Sequence, residues 1–371
     1  MAKMTAPVQR QPAHHTGSGM TREETRFGWL LTAPMLIILG LFLVVPVLMA
    51  LWVSVADWTG RGSPFSSGVH FVGLANYASV TVGGGLTEKT FGWSIRNTFW
   101  YVIIVVPLQT ALALLLAVLV NGRALKGRGF FRTAFYFPSV TSSVAITVLW
   151  LFLFNTTGAV NQMLNWLGIH GPNWFNAPQG IFQALLSLFG VNSGPPALVN
   201  HTFLRVSWWD WLGGPSWAMS AIMIQVIFTT SGTFMLLFIA ALQNLSPEVD
   251  EAAMVDGANG WQRFWKVTLP QLRPTLFTVI TLGLISCWQV FDQVYTATQG
   301  GPGNTTLTPA FLSYQTAIQN LQWGQGAAIG FILLIIIIVF MMLQRVILAD
   351  RSERNTKAEL RRIAKRKAQV S

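Results

Sequence analysis

Six apolar stretches, at about residues 29–55, 97–121, 134–154, 217–242, 275–298 and 327–348, set the frame for everything else in this chain. Each reaches the roughly 20 mostly apolar residues that a helix needs to cross the hydrocarbon core of a bilayer. A water-soluble fold could bury such stretches only behind a polar coat. Here 52% of residues are hydrophobic and 10% charged, whereas soluble domains carry about 25% charged residues. The same imbalance excludes disordered, collagen-like and coiled-coil chains. Runs such as residues 111–120 and 331–342 do not alternate, as the roughly ten-residue strands of a membrane barrel would. An all-α polytopic membrane protein with six transmembrane helices follows. The polar head of residues 1–26 is long for a cleaved signal, so the first stretch reads as a retained helix.

Orientation follows from Lys and Arg beside the spans. With the amino terminus inside, the inner segments hold 20 of the 24 basic residues. Among them are Arg22 and Arg26, then Arg123, Lys126, Arg128 and Arg132, then Arg263, Lys266 and Arg273, and the many after Leu343. Only Arg61, Lys89, Arg96 and Arg205 lie outside. Both termini are therefore expected in the cytoplasm. Residues 1–27 read as a disordered head, in which His14-His15 is too short for a metal site. Residues 349–371 form a basic tail suited to anionic lipid headgroups rather than to nucleic acid. A single cysteine excludes an intrachain disulfide and a cysteine-cluster metal site.

The connections are uneven. Residues 56–96 are Gly-rich and leave room for a short surface helix. Residues 155–216 carry Trp174, Phe175, Trp208, Trp209 and Trp211, followed by Trp217. Residues 181–189 are apolar but too short to span, and suit a position against the bundle or at the membrane interface. The aromatic density fits an interfacial belt; a stacking platform for sugars is the alternative.

The loop between the fourth and fifth spans, residues 243–273, is more than a linker. Ser246 is a good N-cap, and Pro247 belongs at the first helical position. Glu248, Asp250 and Glu251 put negative charge at the positive end of that helix. Gly257 is the residue best able to leave it in a left-handed conformation. A second short helix from Trp261 to about Val267 should stop at Leu269-Pro270. Ala252 and Ala253 give the first helix a small footprint, while Phe264 and Trp265 give the second a bulky one. Such a pair serves either as a plain interfacial elbow or as a docking element for a partner.

Glu251-Ala252-Ala253, Asp256-Gly257-Ala258, Phe264, Leu269-Pro270 and Pro274 resemble, in order and spacing, the EAA loop of the membrane subunits of type I ABC importers. Further blocks are similar to the carbohydrate-uptake, maltose-permease-like branch. They are Gly73-Leu74-Ala75-Asn76-Tyr77, Phe135-Tyr136-Phe137-Pro138, and Gly300-Gly301-Pro302-Gly303 with Thr305. The likeness covers about residues 28–348 and departs at roughly 179–215, an insertion on the outer face.

The resemblance implies a non-catalytic permease subunit in a prokaryotic cell membrane, forming half of a path for carbohydrate. It also implies a second permease, two ATPase subunits that bind the ATP, and an extracytoplasmic sugar-binding protein. In such a subunit Glu248, Glu251, Ala252, Ala253, Asp256, Gly257, Phe264 and Pro270 would belong to the coupling loop that docks on the ATPase, Glu251 making polar contacts and Gly257 the turn.

No G-x-x-x-x-G-K-[ST] loop or H-E-x-x-H motif occurs, so no cofactor or metal is expected. Asp292 is the exceptional charge within the spans, and a central Asp costs roughly 2.5–3.5 kcal/mol on insertion scales. With Gln289 and Gln293 beside it, Trp288 one turn back and Gln225 in the fourth span, it suits a path lined for sugar hydroxyls. Interhelical hydrogen bonding is the plainer role for the same residues. A gradient-driven secondary transporter is the other class to weigh, although it usually shows internal repeats and several intramembrane charges.

Overall fold

A computed structural model describes residues 22–122 and 125–348, the side chains of residues 22–24 and 348 excepted. The basic tail, most of the polar head with His14-His15, and Arg123 of the inner charge cluster lie outside the described residues. Among those described, five helices are long and apolar enough to cross a membrane, and a sharply bent pair makes a sixth.

Residues up to Trp52 and residues from Val53 onward form two compact units. The first is helical from Arg22, inside the stretch expected to lack structure, because extending a helix by a turn costs far less than nucleating one. Its course includes a π-turn at Gly40–Val44, where Val45 donates its N–H to the Gly40 carbonyl. Pro46 follows two residues later.

In the second unit, Leu86–Asn121 is a single 36-residue helix. At 1.5 Å per residue it is about 54 Å long, well beyond the ~30 Å hydrocarbon core. The second span was expected to start near residue 97. The preceding turns carry Glu88, Lys89 and Arg96 and so escape a search for apolar runs, yet the helix continues through them. It packs along Trp217–Gln243 and Arg273–Trp288, and Arg273–Trp288 in turn packs on Trp323–Leu348. Tyr101, Val105, Met219, Ile222, Cys287, Trp288 and Ile329 are buried where these four helices meet. In lipid, close packing rather than water exclusion draws helices together. Gly232 shows how close: a Cβ there would lie 2.2 Å from the Phe135 carbonyl oxygen.

Two spans are broken. The third consists of Arg128–Val140 and Ser143–Leu153, meeting at 98°, where a straight helix over 134–154 was expected. Thr141 and Ser142 adopt extended backbone between them (ψ 149° and 129°). The fifth stops at Trp288 and resumes as Asp292–Ala297. Asp292–Ala297 then packs on Ser143–Leu153.

Between the third and fourth spans lie the helices Ala159–Trp166, Ile181–Leu188 and Trp208–Leu212, and a hairpin pairing Thr202 with Ser207 and Phe203 with Val206. Leu204 and Arg205 take left-handed φ at its tip, the twist a two-residue hairpin turn requires. The helix Ala75–Thr81 occupies the earlier Gly-rich connection.

Candidate functional site

Where the broken spans meet, the bundle encloses a recess of about 410 Å³. Backbone freed from a helix is tolerated at membrane depth where it is buried in protein or lines a polar cavity. The second holds here. Ser139, Thr141 and Ser143 face the recess from the bend, and Thr229, Thr230 and Thr233 face it from halfway along Trp217–Gln243. Gln225, Ser286 and Gln293 complete its polar lining. No charged side chain lines it. A second, smaller recess of about 200 Å³ shares Thr230, Ser286 and Gln293 with the first and adds Gln289 and Asp292.

The two glutamines of the larger recess also hold its wall. Gln225 donates from Nε2 to Thr147 Oγ1 at 2.7 Å, and Thr147 in turn donates to the Ser143 carbonyl. Gln293 donates to Ser143 Oγ at 3.1 Å. The first turn of Ser143–Leu153 is thus tied to both the fourth and the fifth spans. Gln225 is 1% exposed, and its Oε1 has no partner. A buried acceptor left unpaired costs about 1–3 kcal/mol.

Four of the five residues chosen from sequence for the path therefore line one or other recess: Gln225, Gln289, Asp292 and Gln293. Asp292 is exposed in the first turn of its short helix and pairs with no cation among the described residues. Trp288 differs. It is 1% exposed and packs on Phe340 at 5.0 Å between ring centroids, inside the bundle core and lining neither recess. Residue type alone cannot separate a core tryptophan from a stacking one. The hydroxyls of the bend were missed because the span was read by its apolar length, although Pro138 with Ser139, Thr141, Ser142 and Ser143 is the signal that marks the 98° turn.

At the far end of the fourth span lies the elbow. Pro247–Val255 opens with Ser246 at the N-cap position and Pro247 within its first turn, but the Ser246 hydroxyl makes no capping bond. Glu248 and Asp250 occupy the first turn as expected. The helix ends at Gly257, φ +79°. Gly257 donates to the Met254 carbonyl and Ala258 to that of Ala253, the paired bonds of a Schellman ending. Asn259 then starts the second helix through a reciprocal bond pair with Gln262, a capping box that sequence inspection overlooked.

Leu269-Pro270 does not stop that helix. Gly260–Arg263 passes through a π-turn at Phe264–Thr268 into Leu269–Gln271 and on toward the fifth span. Leu269 donates to the Phe264 carbonyl, one residue further back than in an α-helix. This repeats the spacing seen before Pro46: a π-turn closing two residues ahead of a proline. The widened turn makes room for the ring and absorbs the hydrogen bond that proline cannot donate.

Asp250 reaches Arg263 at 3.5 Å across the elbow. A groove of about 570 Å³ runs between these helices and the end of Leu86–Asn121, with Glu251, Phe264 and Asn121 among its walls. Glu248, Glu251, Ala252, Asp256 and Gly257 are exposed, while Ala253, Phe264 and Pro270 are half-buried. Val255 and Trp261 stand out furthest, 88% and 71% exposed. Trp261, Trp265 and Phe264 pack edge to face at 5.4–5.5 Å.

Comparison with known proteins returns one description throughout. Residues 109–352 match the family model of the binding-protein-dependent transport system inner membrane component. The lactose transport system permease protein of Rhizobium radiobacter is 31% identical over 321 residues, covering 85% of this chain and 92% of that protein. The trehalose/maltose transport system permease protein of Thermococcus litoralis is 30% identical, covering 87% and 94%. Among solved structures, a bacterial ABC transporter involved in import of the acidic polysaccharide alginate superposes with a TM-score of 0.65 at 20% identity, covering 88% of this chain and 97% of that one.

Proposed function

The chain belongs to the family of binding-protein-dependent transport system inner membrane components, and from that premise we propose how its two sites divide the work of a sugar importer. It is a multi-pass permease subunit of the ABC-importer kind. In our reading it sits in a prokaryotic cell membrane with both termini in the cytoplasm. It pairs with a second, homologous permease, receives an uncharged sugar from an extracytoplasmic binding protein, and passes it along the recess. The observation that carries this is the recess itself, a set of hydroxyls and amides gathered where two spans break, with one buried amide oxygen unsatisfied. Asp292 and Gln289 would then line the path on its outer side.

The elbow, in the same reading, is the coupling loop. Glu248, Glu251, Ala252, Ala253, Asp256, Gly257, Phe264 and Pro270 would form or brace the surface that docks on an ATPase subunit. Exposed Val255 and Trp261 support this, since apolar side chains projecting from a loop gain most by burial against a partner. Outward and inward states are then populated according to how the binding protein and nucleotide bias the assembly. Broken spans also occur in gradient-driven transporters, but the relatives lend that reading no support.

Gly257 tests the proposal. Nothing lies within 4 Å of a Cβ built there, so Gly257→Val acts through backbone strain of about 1–2 kcal/mol or more. Co-purification of the ATPase subunits, or the ratio of ATP hydrolysed to sugar taken up, should deteriorate in Gly257→Val and recover in Gly257→Asn. Normal assembly and coupling in Gly257→Val would refute the docking role.

A further inference from the structure

We infer that the segment between the third and fourth spans rests in the headgroup–acyl boundary of the bilayer, its apolar side seated on zwitterionic lipid. The inference needs only the membrane-spanning reading, not the identity of the cargo. In Ile181–Leu188 and the residue after it, Phe182, Leu185, Leu186 and Phe189 are all exposed. That is the i, i+3, i+4, i+7 spacing of one helix face. Ile181, Gln183, Ala184 and Ser187 are the half-buried ones. Beyond its first residue the large apolar side chains thus face outward and the polar Gln183 and Ser187 inward, the reverse of a helix bathed in water.

The height of this helix is set by hydrogen bonds. Ile181 donates to the Pro215 carbonyl, Phe182 to that of Gly213, and Trp217 to that of Gln179. Trp217 is the first residue of the fourth span, so the apolar helix begins level with that span's entry. The Phe182 ring meets Trp100 edge to face at 5.3 Å. Across the same segment, Trp166 is 83% and Leu188 81% exposed.

Charge separates lipid from a protein partner as the occupant. Between Arg132 and Arg205 there is no Asp, Glu, Lys or Arg. Along the chain the exposed side chains of Ser143–Leu153, Phe152 among them, are therefore followed by exposed Met163, Trp166 and Leu167 with no charged residue between. A protein-docking patch is ringed by polar and charged side chains. An apolar face sunk ~5–10 Å into the boundary, with tryptophans at headgroup level, needs none. The segment's one Lys or Arg, Arg205, is paired with Glu88, so it needs no anionic lipid either. Buried Arg96 grips the Asp210 and Gly214 carbonyls, and Trp100 donates to the Trp211 carbonyl. These bonds make the segment a collar that fixes the depth of Leu86–Asn121.

The test uses the full chain in phosphatidylcholine nanodiscs, spin-labelled at Leu188→Cys or Trp166→Cys, with Val255→Cys on the elbow as the water-facing control. Cys287 is buried, and the unsubstituted chain reports any label it takes. Collisions with oxygen should exceed those with a nickel chelate at least fivefold at positions 188 and 166, and the preference should reverse at 255. A nickel-chelate preference at 188 and 166 matching the control would overturn the proposal in favour of a water-facing surface. Shielding from both reagents would overturn it in favour of a protein-covered one.

Discussion

In the recess, Gln225 and Gln293 direct their donors inward, to Thr147 and Ser143, and no charged group lines the walls. In the elbow, Glu248, Glu251 and Asp256 are exposed beside Val255 and Trp261, which have little of their own chain to pack on. The difference follows from solvent. At membrane depth a polar group must find its partner within the protein, so polarity there appears only where the structure has already assembled a network. In water a polar group is satisfied anywhere, so an exposed apolar side chain is what signals unfinished business with a partner. The recess is complete except for one amide oxygen; the elbow is complete except for a surface.

Two glycines give the largest expected contrast. Gly232 is required by space and Gly257 by conformation. Gly232→Val forces a side chain into the Phe135 carbonyl, and neither helix backbone can yield. Loss of monodisperse protein in detergent is expected, with any residual fold unfolding at markedly lower temperature. Gly257→Ala should leave the thermal transition within a few degrees, because its ~1–2 kcal/mol of strain falls on one exposed turn. If both variants unfolded alike, the view that one region is packed and the other merely shaped would fail.

The sequence and the structure agree where solvent alone decides, and part where neighbours do. Span number followed from apolar length, and the left-handed exit at Gly257 from the intolerance of other residues for positive φ. The bend at Thr141-Ser142 escaped a reading by apolar length, although Pro138, Ser139, Thr141, Ser142 and Ser143 cluster there as a break signal; the rest of the polar lining comes from residues 225–233 and 286–293. Pro270 misled for a related reason. Its helix-breaking tendency is real, but a π-turn five residues long in its approach accommodates the ring without ending the helix. Trp288 suited either core or path until its neighbours, including Phe340, were known.

Within the recess, the middle-sized effects separate wall from path. Gln225→Leu removes both the bond to Thr147 and the free oxygen, and should lower uptake up to about tenfold, in keeping with a loss of ~0.5–1.5 kcal/mol per neutral hydrogen bond. Thr147→Val removes the same bond but keeps the oxygen. A purely structural wall predicts equal losses in the two; a path predicts that only Gln225→Leu raises the sugar concentration needed for half-maximal uptake. Asp292→Asn keeps shape and removes charge beside the same route, and a change of a few-fold is expected there, since the carboxylate is exposed and screened.

The smallest effect sharpens the elbow. Asn259 accepts from the Gln262 N–H at 2.8 Å, and Gln262 Oε1 accepts from the Asn259 N–H at 3.0 Å. Asn259→Ala removes the first bond and leaves the second without its counterpart, at a cost of about 1 kcal/mol. Hydrogen exchange at residues 260–263 should quicken about fivefold, the equivalent of that energy. Protection in Trp217–Gln243 should stay unchanged, because no bond of the box reaches the bundle. The same variant distinguishes a stiff lever from a passive hinge. If frayed ends loosen coupling between ATP hydrolysis and uptake while the ATPase still binds, the elbow transmits force through its second helix. If coupling is intact, the docking surface alone matters and the contrast with the recess narrows to one of exposure.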